Sequence, residues 1–292
     1  MTTIGFIGLG LLGGAMARRL ATTGHRVVAF DIDSQRCAEA TGAGLTVASS
    51  SRAVAEAASI VCVCVTTTAA VADVIEGADG VLALGRLDGK VIVDHSTTEI
   101  TETKRLAARL ASSGADFVDA PVSGGPGATD TGSLALMAGG TEAAIAQITP
   151  IMAQLGRFTH MGPVGSGQAT KLVNQTLVLT NYCVMAEAFR LAEAYGVDAA
   201  KIPEALATGH AGSNLLPIVF ERIVARDWAP RGYARQVLKD LEMLNDAAHQ
   251  QKLAMPMSAQ ALTLYRMLVA SGKSELDASA IATLWPDRGQ KG

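Results

Sequence analysis

The sequence predicts two domains: an α/β domain built on a parallel sheet, then a long connecting helix that leads into an all-α domain. Three observations carry this. Up to Gly162, short apolar runs alternate with helical stretches. Residues 166–195 then read as one helix, with no proline to break it. Beyond them every periodic segment is helical. The division expected from this is residues 1–163 for the first domain and 164–292 for the second, which opens with the interdomain helix 166–195.

The elements follow in order. "TIGFIGLG" is the first strand and its turn, and "GAMARRLATTG" the first helix. "RVVAFD", "SIVCVCV", "KVIVDHS", "DFVDAPV", "LALMAGG" and "RFTHMG" are further strands, with "TETKRLAARLASSG" a helix among them. Most of these strands are continuously apolar rather than alternating, as expected where helices cover both faces of a sheet. In the second domain "DAAKIPEALATG", "LLPIVFERIVAR", "ARQVLKDLEMLNDAAHQQKL" and "MSAQALTLYRMLVASG" are helical by periodicity and are broken at Gly or Pro.

Composition bounds what such a protein does. The 292 residues are 49% hydrophobic and 17% charged, enough apolar material for large cores and too little charge for disorder. A net charge of −3 gives no electrostatic case for nucleic acid or an acidic membrane surface. No apolar run is long enough to span a bilayer, and the chain enters a strand almost at once, without the regions of a signal peptide. A cytoplasmic location is expected. The four cysteines agree: Cys62 and Cys64 alternate along one strand, Cys37 and Cys183 are isolated, and most read as small buried apolar residues.

Gly8-x-Gly10-x-x-Gly13 follows a strand and opens a helix, the context a dinucleotide-binding turn requires. Gly8 permits the tight turn, Gly10 lets a pyrophosphate approach the backbone, and Gly13 lets the helix pack on the strand. The helix start at Leu11 and Leu12 then offers free N–H groups to phosphate. This is a Rossmann-type arrangement. Asp31, at the tip of the second strand, would accept hydrogen bonds from ribose hydroxyls and repel a 2′-phosphate, which favours NAD over NADP; it also reads as a simple turn residue or helix cap. Arg36 is in principle able to meet a phosphate, but it lies several residues further on and reads rather as a residue that solvates a helix. Two later strand ends should face the cofactor, Val65 with Thr66 and Ser96 with Thr97. Ser96 and Thr97 would bond ribose or the nicotinamide amide, or cap the helix that begins near Glu99.

"FIGLGLLGGAMARRL", "DAPVSGGPGATDTGSLALMAGG" and "GPVGSGQATKLVNQ", together with "ATGHAGSNLL" and Lys239-Asp240-Leu241, resemble the β-hydroxyacid dehydrogenase family over nearly the whole chain. That family includes 3-hydroxyisobutyrate dehydrogenase and tartronate semialdehyde reductase, with 6-phosphogluconate dehydrogenase as a larger relative. The resemblance implies that Ser123, Gly124 and Gly125 bind a substrate carboxylate. It implies that Lys171 is the catalytic acid/base, that Asn174 and Gln175 orient the substrate, and that Lys239 closes over the nicotinamide. The implied reaction interconverts a small 3-hydroxy acid and its semialdehyde, in a homodimer or homotetramer. Asn174 followed by Gln175 is more similar to the tartronate semialdehyde reductase pattern, and Val65-Thr66 replaces the family's Leu-Pro.

The chemistry suits these residue types. Oxidation of a hydroxy acid needs a fixed carboxylate and one group to take the hydroxyl proton. Spacings of three and four place Lys171, Asn174 and Gln175 on one helix face. Desolvation and a helix N-terminus both disfavour an ammonium, so a lysine there is expected to work near neutrality. No histidines have metal-ligand spacing, so no metal is expected. His95, near the cofactor edge, could touch ribose. "VSGGPG" is not a nucleophile elbow. Two other readings stand beside this one: a catalytically silent nucleotide-binding module, and an imine reductase-like enzyme, whose relatives usually lack the lysine.

Overall fold

A computed structural model describes residues 2–285. The chain divides into two compact units, the first ending at Lys171 and the second beginning at Leu172. The first holds nine strands: β1 (Thr3–Ile7), β2 (Arg26–Phe30), β3 (Thr46–Val47), β4 (Ile60–Val63), β5 (Val91–Asp94), β6 (Asp116–Asp119), β7 (Val122–Ser123), β8 (Leu134–Gly139) and β9 (Gly156–Gly162). Its helices are α1 (Leu11–Thr22), α2 (Ser34–Gly42), α3 (Ser51–Ala57), α4 (Thr68–Glu76), α5 (Ile100–Ser112), α6 (Gly125–Thr131) and α7 (Glu142–Met152). All seven strands expected from sequence are present. The two-residue strands β3 and β7 are too short to leave a periodic signal.

The strands form one sheet in the order β3-β2-β1-β4-β5-β6-β8-β7, with β9 paired to β8. It is parallel from β3 through β6. At β8 the direction reverses: β8 runs antiparallel to β6 and β7, and β9 parallel to β8. So the parallel sheet expected from the alternation is present and carries a reversed far edge. The chain passes from β6 to β8 through β7 and α6, and β7 itself pairs antiparallel with β8. Both faces are covered. Ile4 and Phe6 of β1 and Ile60 and Cys62 of β4 enter one core, while Ile7, Val61 and Val63 enter the other. That division explains why the strands read as unbroken apolar runs. Cys62 and Cys64 share the first of these cores, where burial pushes both thiols up to about 12.

Helix α8 (Ser166–Ala194) begins in the first unit and continues into the second. Its start is set by close backbone approach. Gly165 has φ +93°, and a Cβ on Gly167 would lie 2.4 Å from the carbonyl oxygens of both Asp119 and Met137. The Asp119 carboxylate accepts the N–H groups of Gly165 at 2.7 Å and Gln168 at 2.8 Å, satisfying donors that a helix start leaves open. The second unit adds α9 (Ile202–Leu206), α10 (Leu215–Ala225), α11 (Ala234–Gln250) and α12 (Pro256–Ala270). Phe189, Val219, Phe220, Leu241, Tyr265 and Ile281 are among its buried core. Buried Arg222 pairs there with Asp277 and Asp227, both at 3.3 Å.

Candidate active site

The glycine turn lies between β1 and α1, where β2 flanks β1 on one side and β4 on the other. Gly8 has φ +94°, and a Cβ there would meet the Cys64 carbonyl oxygen at 2.3 Å. A Cβ on Gly13 would lie 2.1 Å from the Gly8 oxygen, so the helix can approach its strand only with glycine at that position. Gly10 is the N-cap of α1 and no side chain caps that helix start. A Cβ on Gly10 would meet only the Arg36 guanidinium. Leu11 is exposed and Leu12 half-buried in the first turn. A pocket of about 410 Å³ opens here, lined by Gly8, Gly10, Asp31, Ile32, Arg36, Val65 and Thr66 among others. Uncapped helix N–H groups beside glycines that crowd out any side chain fit a dinucleotide's pyrophosphate.

Asp31 follows the end of β2 and is buried. Its carboxylate accepts the Leu9 N–H at 2.6 Å and the Asp33 N–H at 2.9 Å. It is not the cap of α2; Asp33 is, accepting the Gln35 N–H. Arg36 departs from expectation. Instead of simply solvating α2, it turns into the pocket, 3.7 Å from Asp31 and 3.6 Å from Asp33. Two carboxylates at the pocket edge draw the cation there, and no sequence period records such a contact.

The other edge of the pocket is held by a buried polar network at the ends of β5 and β6. Ser96 is buried, and its hydroxyl accepts the Val65 N–H at 3.0 Å. It therefore ties the two expected cofactor loops together. Neither Ser96 nor Thr97 caps α5; Glu99 occupies that position without a side-chain bond. Asp94 accepts the Ser96 N–H at 2.9 Å and the Thr98 hydroxyl at 3.3 Å. Burial raises its carboxyl to about 7 against the hydrogen bonds from Ser96, and the nearby Asp119 charge adds to the rise. Burial likewise raises Asp119 to about 6. His95 does not stand at the surface to meet ribose: it is buried, with Nδ1 2.8 Å from the Ala120 carbonyl, and burial pushes its imidazole down to about 4.

Lys171 is buried, and its Nζ donates to the Val122 carbonyl at 2.7 Å. Val122 immediately precedes Ser123, Gly124 and Gly125, so the lysine and the expected carboxylate-binding segment meet in the first unit. Gly124 has φ +130° and Gly125 φ +69°, a backbone that glycine adopts readily. In the second unit Asn174 Nδ2 donates to Gln175 Oε1 at 2.8 Å, and Gln175 Nε2 donates to Asp240 Oδ2 at 2.6 Å. Lys239 pairs with the same Asp240 carboxylate at 3.0 Å. Sequence reasoning left Asp240, Asp119, Asp94 and Gln168 without roles. The only signal for them was their place inside the quoted motifs. Among the described residues no three His, Cys, Asp or Glu side chains gather as metal ligands.

Comparison with known proteins agrees with this geometry. Residues 3–165 match the NAD binding domain of 6-phosphogluconate dehydrogenase. Residues 165–285 match the family described as NAD-binding of NADP-dependent 3-hydroxyisobutyrate dehydrogenase. The chain is 35% identical over 279 residues to 2-hydroxy-3-oxopropionate reductase of Escherichia coli (strain K12), covering 95% of each chain. It is 32% identical to mitochondrial 3-hydroxyisobutyrate dehydrogenase of Bos taurus, over 96% of this chain and 85% of that one. A crystal structure of 3-hydroxyisobutyrate dehydrogenase from Salmonella typhimurium superposes with a TM-score of 0.88 at 26% identity, covering 98% of this chain and 100% of that one. On the matched families, the length of these alignments and the shared fold, this chain belongs to the β-hydroxyacid dehydrogenase family of NAD(P)-binding oxidoreductases.

Proposed function

We propose that this protein is an NAD-preferring dehydrogenase that interconverts a small 3-hydroxy acid and its semialdehyde, of the 3-hydroxyisobutyrate dehydrogenase or tartronate semialdehyde reductase type. The observation that carries this is the Lys171 amine held at the Val122 carbonyl, beside Ser123-Gly124-Gly125. When bound, NAD supplies the acceptor for the hydride that leaves the substrate carbon. The protein's own residues do the rest. Ser123 and the backbone of Gly124 and Gly125 bind the carboxylate. Lys171 takes the hydroxyl proton as the carbonyl forms, and returns it in reduction. Asn174 and Gln175 orient the substrate, and Lys239 acts from α11, with Asp240 fixing both Gln175 and Lys239. The functional boundary lies between residues 163 and 164.

The Escherichia coli relative, a 2-hydroxy-3-oxopropionate reductase, and the Asn174–Gln175 pair support a tartronate semialdehyde-type substrate over a branched one. The preference for NAD rests on the Asp31 carboxylate at the pocket edge, with Arg36 tempering it. A homodimer or homotetramer and a cytoplasmic location complete the reading; the four free thiols suit a reducing compartment. No helix among the described residues is long and apolar enough to cross a membrane. The test is a panel of 3-hydroxy acids and semialdehydes with NAD and NADP, followed at the reduced-nicotinamide absorbance band. Turnover of a hydroxy acid but not of its methyl ester is expected. Silence across the panel with both cofactors would defeat the reading, and equal kcat/KM for the two cofactors would defeat the NAD preference.

A further inference from the structure

Gln168 precedes Lys171 by three residues on α8 and is only 1% exposed. Its backbone N–H is taken by Asp119 at the end of β6. Its side-chain amide points to a different element. Oε1 accepts the Thr98 N–H at 3.1 Å, and Nε2 donates to the Ser96 carbonyl at 2.8 Å. One amide thus takes a donor and an acceptor from the backbone on either side of Thr97, as a neighbouring strand would. The same loop is fastened from beneath by Asp94 and sideways to Val65 by the Ser96 hydroxyl. Every group in this set belongs to the first unit.

Burial of a glutamine requires that its amide be satisfied, and a purely structural role would end there. The partners say more. The loop that the amide grips is the one expected to face the cofactor. The helix that carries it is the one that presents Lys171. Asp119 would still cap that helix without Gln168, whereas the two bonds of the Gln168 amide join α8 directly to the loop. We propose that Gln168 is a positioning residue: its amide sets the distance between the Ser96–Thr98 loop and the Lys171 amine, so that one side chain holds the two halves of the reacting geometry in register. This rests on the functional reading above.

Two substitutions test it. Gln168→Met keeps the length and the apolar stem but cannot bridge the loop. A misplacement of about 1 Å costs up to about 100-fold in rate, so kcat should fall by about 10- to 100-fold while cofactor affinity changes little. In Gln168→Glu, a protonated carboxyl can accept from Thr98 and donate to Ser96, whereas a carboxylate can only accept. Its kcat relative to the unmodified enzyme should therefore recover at low pH and decline as pH rises, while the Met ratio stays flat. A merely structural loss would leave both ratios flat. A readout without substrate or cofactor is amide hydrogen exchange. Thr98 should exchange faster in Gln168→Met, while Gly165, whose N–H bonds Asp119, keeps its rate. An unchanged kcat, a flat Glu ratio, an unchanged Thr98 or a general loosening of the helix start would each overturn the proposal. If the unmodified protein oxidised no hydroxy acid at all, the functional reading would fail by itself, and the exchange pattern would still decide whether Gln168 couples loop to helix.

Discussion

At the scale of single residues, the groups to test are Lys171, the proposed proton carrier, and the buried acids of the same unit, Asp94 and Asp119. Lys171→Met keeps an apolar stem and removes the amine. General acid–base catalysis contributes typically about 10²–10⁴-fold, so kcat should fall within that range. Val122 loses its hydrogen-bond donor, at a cost of about 1 kcal/mol to stability. Lys171→Arg should not rescue the rate, because guanidinium keeps its proton. Steady-state kinetics beside calorimetric cofactor binding checks this; retention of more than half of kcat would make Lys171 a structural residue. Asp94 gives a pH prediction. Its folded carboxyl titrates at about 7, above the ordinary 3.8, so the folded state binds the proton more tightly. Its contribution is complete at low pH and is lost as pH rises from about 4 toward 7. His95 acts in the opposite sense, losing stability as pH falls from 6.5 toward 4. Asp94→Asn keeps an acceptor for the Ser96 N–H and no longer ionises. Its stability should gain on that of the unmodified protein as pH rises from about 4 to about 7, by up to about 1.4 kcal/mol per pH unit, and the two melting temperatures should diverge accordingly. Parallel melting curves for the two proteins would show that Asp94 titrates normally.

At the scale of elements, the start of α8 is the joint on which the site depends. The helix can reach the ends of β6 and β8 because Gly167 has no side chain. Gly167→Ala places a Cβ 2.4 Å from two carbonyl oxygens, which cannot both move without disturbing the sheet. Overpacking of this kind costs about 1–3 kcal/mol, and thermal melting should show at least that loss. Activity should fall further than stability, since the shift also moves Lys171. A variant with unchanged melting and full kcat would mean that the strand ends yield easily. Gly44→Ala, outside the candidate site, is the control. Its φ of +83° carries a backbone penalty of about 1–2 kcal/mol, but the space around it is open.

At the scale of the whole molecule, association is the property to measure. Val173, Leu177, Val184 and Leu191 stand 48–62% exposed along α8. Leu177, Val184 and Leu191 recur every seventh residue, which keeps them on one side of a helix. Scattered exposed apolar residues are ordinary, but a stripe along one helix marks a surface for association. Sedimentation velocity should therefore find a dimer or tetramer, and Leu177→Glu with Leu191→Glu should shift it toward the monomer. A monomeric unmodified protein would end the oligomer proposal.

The sequence by itself determined the two-part architecture, seven of the strands, the glycine turn, and the lysine with its amide neighbours. Those features are written in local terms: period, a run of apolar residues, a glycine where a turn demands it. Tertiary structure decided the reversal at β8, because strand direction depends on the path of the return and not on strand composition. It also decided that Arg36 enters the pocket, that Lys171 meets Val122 49 positions away, and that Gln168 reaches Ser96 across 72. Polar side-chain contacts at such separations have no periodic signature. They are set only when strand ends and helix starts are brought to one edge of the sheet.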